Sequence, residues 1–473
     1  MTFFLSLTMI ILKIISDSKY KLLAEGDTGL LIYNTREIVK CLNEWKWGNC
    51  AAGGPLPLLQ YIPVYLTQIL GLTQPMIMRV LGVMSTMAFF GSLLIYFNFF
   101  YKSNRRHLAW LASFVFISSP FLVYSRSTFG EMLTAFLTLA GLWLVLKKAG
   151  ILKIAAITIL ISITKDFAAI FFSILGCAAA LSYWKANQKE AVKSIAGMAT
   201  GSAAGLAIVI TLNFFRSGHP YNALYMLRHN IVPDIETKLS FFAGQWLAFN
   251  SGMLFCWFSF CFIMAAIVMQ KFSFKMKDLI HSCPLWIVCS VLIAITAGLS
   301  SWWAPFGWIA WGPRLMIPWI PAITLLVLHL YHKDLFRALS MVARHRFLVV
   351  TIAGFTIFSA LGQFYGAEDP HKFSTMIVEP NPPSCPVPSI IERDQSYYYR
   401  CVRDMIWKPK YFILPYVIAY QWTWYKFWTG LCFILCLSGM FLKGTEPLFL
   451  YLKLKHENDH GEMPELHLPD FKS

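Results

Sequence analysis

Stretches of roughly 20 apolar residues recur along almost the whole chain, and nothing else in the sequence limits its fold so severely. A backbone crossing lipid must satisfy its own polar groups, which leaves helices and closed barrels. Barrel strands would alternate polar and apolar residues over ~10 positions, and these stretches do not alternate. Only 14% of the 473 residues are charged and 57% are hydrophobic, against about 25% charged in a soluble domain. The expected fold class is an all-α polytopic membrane protein.

The basic residues orient it. The formal net charge is +16. In a soluble chain that excess would raise nucleic acid as a partner, but here it falls in short loops between apolar stretches, as cytoplasmic loops do. Loops after 101, 146, 184, 270 and 331 each carry at least three Lys or Arg, which puts about 12 spans in the chain with both ends inside. The spans fall at 2–16, 76–101, 108–124, 132–146, 154–163, 167–184, 194–215, 246–270, 280–299, 315–331, 347–363 and 426–442. The first is read as a span and not a signal peptide, since it has no basic n-region and no small-residue cleavage site. Segment 56–72 is apolar but opens in Pro-rich sequence and carries Gln60, Tyr61, Tyr65 and Gln68. It is expected to lie in the interface, where its polar groups stay wet. Three regions follow: a membrane-embedded catalytic region at 1–363 with an external loop at 17–75, an external segment at 364–425, and a last span with its cytoplasmic tail at 426–473.

Cys41, Cys50, Cys385 and Cys401 fall outside by this topology and seven other cysteines fall in or near spans. The external four are candidates for two disulfides in an oxidising compartment, expected to pair within each loop. No spacing matches a zinc site, and no Asn-x-Ser/Thr sequon is present.

Chemistry concentrates on the external face. Stretch 24–60 places Glu25 and Asp27 just beyond the first span. Arg126 to Glu131, Lys165-Asp166 and Gly312-Pro313-Arg314 come from three further loops on the same side. Charges near span ends are commonly interfacial anchors, and any one patch is explained that way as readily as by function. Their convergence on one face is not, because the span interiors are nearly free of ionisable groups. Transfer of a group from an anionic lipid carrier suits such a set. A carboxylate deprotonates or orients an acceptor, and cations hold a phosphate leaving group. Asp27 and Glu131 are the candidate catalytic carboxylates. Arg126, Lys165, Arg314, Glu25, Trp303 and Trp311 are the candidate substrate contacts, the tryptophans serving equally well as an interfacial belt. No cofactor is expected. Glu25 and Asp27 alone are a thin basis for a metal.

These stretches resemble a known family. Glu25-Gly26-Asp27 after the first span, Gly54-Pro55-Leu56-Pro57 leading into a juxtamembrane helix, Ser125-Arg126 to Glu131-Met132, the short LISITK stretch ending in Lys165, Asn213 to Pro220, and Trp302 to Arg314 closing in Trp-Gly-Pro-Arg occur in its order. The family is that of GT-C fold glycosyltransferases using polyprenyl-phosphate sugars, related to bacterial protein O-mannosyltransferases and the lipid A aminoarabinose transferase. The resemblance implies a lipid-phosphate sugar donor, inversion at the sugar carbon, Asp27 as the catalytic carboxylate, and a bacterial inner membrane with the site facing the periplasm. The acceptor stays open among an envelope glycan, a glycolipid and a protein, because 364–425 matches no part of the family pattern. Membrane lipids are the remaining partner, and no nucleic acid is expected. The competing reading is a lipid or solute transporter or flippase, which would place polar or broken-helix features near the midplane. A non-catalytic scaffold would need no such convergence of charges.

Overall fold

The computed structural model describes residues 27–46, 58–128, 130–165, 168–220, 231–232, 234–248, 252–272, 279–302, 314–368, 401–404, 406–408, 413–420 and 423–457. Apart from one isolated bridge between Ile231 and Trp302, their regular structure is helical. Helices α1 (Asp27–Asn43) and α2 (Leu58–Ile69) lead into α3 (Gln74–Lys102), α4 (Arg106–Ile117), α5 (Phe121–Tyr124), α6 (Glu131–Leu146), α7 (Ile151–Thr164), α8 (Ala168–Ser182) and α9 (Gln188–Ser217). After these come α10 (Ile235–Leu247), α11 (Met253–Cys256), α12 (Phe258–Phe272), α13 (Leu279–Ser300), a 3-10 turn at Arg314–Met316, α14 (Ile320–Val342), α15 (Arg346–Gly366), α16 (Ile413–Tyr420) and α17 (Trp424–Glu457).

Five of these helices are long and apolar enough to cross a membrane, and five shorter apolar helices accompany them. Eleven of the twelve expected spans coincide with helices; the first, 2–16, lies outside the described residues. Segment 56–72 forms the separate helix α2, as expected, with Pro63 inside it.

The boundaries differ in four places, each for a local reason. The span expected at 108–124 breaks after Ile117, where Ser118, Ser119 and Pro120 intervene and α5 resumes as a single turn. Proline lacks the amide an unbroken helix needs and clashes with the preceding turn. Trp246 belongs to α10, a separate helix capped by Asp234, whose carboxylate accepts from the Thr237 amide at 2.7 Å; the span begins later. At the other face α14 runs past its expected end at 331 to Val342, bending at Tyr331. The extension is amphipathic and anchored, with Asp334 bound to Lys271 of α12 at 3.1 Å. Finally, α17 continues beyond 442 to Glu457.

The core lies among α3, α4, α6, α12 and α14. Phe89, Phe116, Phe121 and Trp257 pack ring on ring, with Phe116 and Phe121 stacked at 4.3 Å and Trp257 edge-on to Phe121 at 4.8 Å. Offset and edge-to-face pairs are worth about 0.5–1.5 kcal/mol beyond burial. Two side chains thread the core to hold the start of α14. The Tyr96 hydroxyl donates to the Pro321 carbonyl at 2.9 Å, and Thr138 donates to the Pro318 carbonyl at 2.5 Å.

Lipid gives helices no hydrophobic reason to associate, so close backbone approach takes over that role. The ladder Gly197, Gly201 and Gly205 of α9 provides it against α7. A Cβ at Gly201 would sit 2.5 Å from the Ala155 carbonyl oxygen, and one at Gly205 would sit 2.3 Å from Ser162 Oγ. α9 then stops at Gly218, which takes the left-handed conformation (φ 72°) and returns its amide to the Phe214 carbonyl. Of the cysteines, Cys41 and Cys401 are disulfide-bonded, and the seven near spans are free. The two bonded residues both belong to the four cysteines expected outside. Cys50 and Cys385 lie outside the described residues.

Candidate functional site

Three of the expected residues meet at one point. Glu131 is the first residue of α6, Lys165 follows the last residue of α7, and Arg314 opens the 3-10 turn before α14. Because α6 and α7 are consecutive and antiparallel, the start of one and the end of the other share a face. Arg314 is delivered to that face by the two hydrogen bonds that pin Pro318 and Pro321 to α6 and α3. A single carboxylate oxygen, Glu131 Oε1, lies 3.2 Å from Lys165 Nζ and 3.3 Å from Arg314 Nε. The Glu131 and Arg314 side chains are 9% and 6% exposed and that of Lys165 is 31% exposed.

Among the described residues, two cations share one carboxylate here. A carboxylate this dry would be costly alone, and its two partners offset that cost. The more exposed partner, Lys165, is the one whose ammonium has donors left for something else.

The neighbouring loop is held from two sides. Gln60 of α2, itself buried, donates to the Thr128 carbonyl at 3.1 Å. Thr86 of α3 donates to the Ser125 carbonyl at 2.8 Å. Above it α1, α2, α3 and α9 share a small apolar cluster of Leu31, Ile32, Tyr61, Val64, Ile77, Leu81 and Val209. Gln68 ties α2 to α1 by donating to the Ile32 carbonyl at 3.0 Å. Pattern reading took Gln60 as one more polar residue of an interfacial helix. Its burial was not signalled, because the group it serves is 68 residues away.

Arg126 does not join the cluster in this arrangement. Its guanidinium Nη1 donates to the carbonyls of Ala367 and Glu368 at the end of α15. There Glu368 also binds Lys426 at 2.7 Å. Asp27 begins α1, but its side chain lies outside the described residues, as do Glu25, Trp303 and Trp311.

A second layer of packing comes from far along the chain. Residues 401–408 rest on α10: Trp407 Nε1 donates to Ser240 Oγ at 2.8 Å, and Arg403 pairs with Glu236 at 3.4 Å. Val232, Phe241, Ala248 and Ile406 form the apolar contact beneath. Part of the segment expected to be external thus packs on α10.

No family model matches the chain, and no curated protein matches it. Among solved structures it is similar to ArnT from Cupriavidus metallidurans in the apo state, at 12% identity and a TM-score of 0.43, over 94% of this chain and 76% of that one. It is similar also to the same protein bound to undecaprenyl phosphate, at 12% identity and a TM-score of 0.44, over 98% of this chain and 81% of that one.

Proposed function

We propose that the chain is an integral membrane glycosyltransferase that moves a sugar from a polyprenyl-phosphate donor to an acceptor on the external face of the membrane. The observation that carries the reading is the shared carboxylate oxygen: Glu131 holds Lys165 and Arg314 together at 3.2 and 3.3 Å, at one end of the helices. Two cations fixed in place in a largely dry setting are preorganised for an anionic group, and they act more strongly there than they would in water.

In the reaction, an acceptor hydroxyl oxygen attacks the sugar's anomeric carbon. The bond from that carbon to the phosphate oxygen breaks, and the polyprenyl phosphate departs with both bonding electrons. The acceptor proton passes to the Asp27 carboxylate. Attack opposite the leaving group inverts the sugar carbon. Lys165 supplies donors to the departing phosphate, Arg314 adds charge, and Glu131 fixes the position of both. The reading places the site on the periplasmic side of a bacterial inner membrane. It leaves Arg126 to brace the loop before Glu131 and residues 401–408 to shape the acceptor side.

The test is sugar transfer by purified variants at matched, folded levels. A general base is worth roughly 10² to 10⁴ in rate, so Asp27→Asn should lose that factor. Near wild-type turnover for Asp27→Asn would sink the mechanism. Unchanged envelope glycolipids and glycoproteins in a deletion strain would sink the activity.

A further inference from the structure

A second cationic group lies at the opposite end of α6. That helix has Glu131 at its first residue, and Lys147 follows its last; at 1.5 Å per residue the two ends are ~24 Å apart. Around Lys147 gather Arg105 from the turn before α4, His107 from its first turn, and His329 and His332 from α14. Phe99 of α3 organises two of them. Lys147 Nζ stands 5.3 Å from its ring centroid, and the His329 ring packs edge-on at 5.1 Å. Arg105 Nη1 donates to the His329 carbonyl at 3.2 Å, and its charge acts on all three imidazoles. His107 stacks against Phe336 at 5.6 Å.

Two properties separate this group from an ordinary basic loop. First, it holds no carboxylate among the described residues. The acid nearest in sequence, Asp334, is taken by Lys271 at 3.1 Å and Arg337 at 3.9 Å. Second, Nδ1 of His329 and Nδ1 of His332 are both closed off from water and neither has a hydrogen-bond partner among the described residues. Buried polar atoms are ordinarily partnered, and a solvated cytoplasmic loop explains exposed lysines but not two shielded imidazole nitrogens beside an arginine. Imidazole, guanidinium and ammonium together are the donor set that recognises a tetrahedral oxyanion.

We propose that Arg105, Lys147, His329 and His332 form a binding site for a phosphate-type anion at the end of the helix bundle opposite Glu131. Two sources share that chemistry: free phosphate, and the headgroup of an anionic phospholipid in the leaflet at that face. The proposal stands independently of the transferase reading.

The experiment uses the full-length protein in neutral detergent, titrated with inorganic phosphate or short-chain phosphatidylglycerol at constant ionic strength. Binding is followed by broadening of the phosphorus-31 resonance. Lys165→Gln serves as the starting protein, so that the Glu131 site contributes least. Binding should persist in Lys165→Gln and weaken at least tenfold on adding Arg105→Gln. Because Arg105 also holds a backbone carbonyl, His332→Gln is the second variant; it too should weaken binding tenfold. Saturation by phosphatidylglycerol alone identifies a lipid headgroup, and saturation by phosphate identifies the free ion. Absence of binding by both probes in Lys165→Gln, or equal binding with and without His332→Gln, overturns the proposal.

Discussion

The two ends of α6 solve the same electrostatic problem in opposite ways. At its start, two cations are drawn together by a carboxylate that belongs to the protein. At its end, an arginine, a lysine and the histidines gather with no acid among the described residues. The first arrangement holds its donors in place with a carboxylate of the chain itself. In the proposed reading the second takes its counter-charge from a bound anion. One helix would then carry a preorganised site at one face and a site that depends on its ligand at the other. The sequence marks both ends identically, as charges flanking an apolar run.

Substitutions at the two ends should separate them. The largest effect is expected for Glu131→Gln. Breaking a buried ion cluster by removing one partner typically costs about 3–5 kcal/mol, so this variant should show a large loss of thermal stability in detergent. Its transfer activity, measured on the folded fraction, should still exceed that of Asp27→Asn, because Glu131 positions cations and does not take the proton. Equal losses in both variants would move Glu131 into the chemistry. Lys165→Gln comes next. Its side chain is 31% exposed, so stability should fall by only about 1 kcal/mol, while turnover falls far more than stability does. A matched small effect on both would make Lys165 a structural partner alone. The smallest effect is expected for Lys147→Gln, an exposed residue in a group with no carboxylate. In anion-free detergent its stability should stay within about 0.5 kcal/mol of the parent. A loss like that of Glu131→Gln would show a hidden counter-charge and erase the contrast between the ends.

Much of the fold was readable because lipid leaves few choices. Apolar length fixed the spans, and basic loops ordered them. The differences arose where a local element overrode the run: Pro120 broke one span, and the Asp334–Lys271 pair lengthened α14. At the site, Glu131, Lys165 and Arg314 were legible as charges that had no reason to sit in lipid. Their shared oxygen was not, since nothing in the local pattern tells two cations to choose one acceptor. Arg126 shows the limit most plainly. It looked like the other cations, yet its partners are the carbonyls of Ala367 and Glu368. Backbone acceptors exist at every residue and leave no trace in composition. The docking of 401–408 on α10 was hidden for the same reason, because contacts across more than 160 positions, such as Arg403 with Thr237, have no local signature.

The shortness of α7 has a consequence for the bilayer itself. Its 14 residues rise only ~21 Å, against a hydrocarbon core of ~30 Å, and the glycine ladder of α9 clamps it so that it cannot slide to compensate. If α7 spans the bilayer, Lys165 at its end would sit short of the ordinary headgroup level, and the surrounding membrane would dip to keep that ammonium solvated. Thinning a bilayer around a short helix costs a fraction of a kcal/mol per Å of mismatch. In the proposed reading, the site would lie at the bottom of a dimple of the protein's own making, where a lipid-borne phosphate would reach Lys165 without climbing out of the membrane. Turnover in reconstituted bilayers should accordingly decline as acyl chains lengthen.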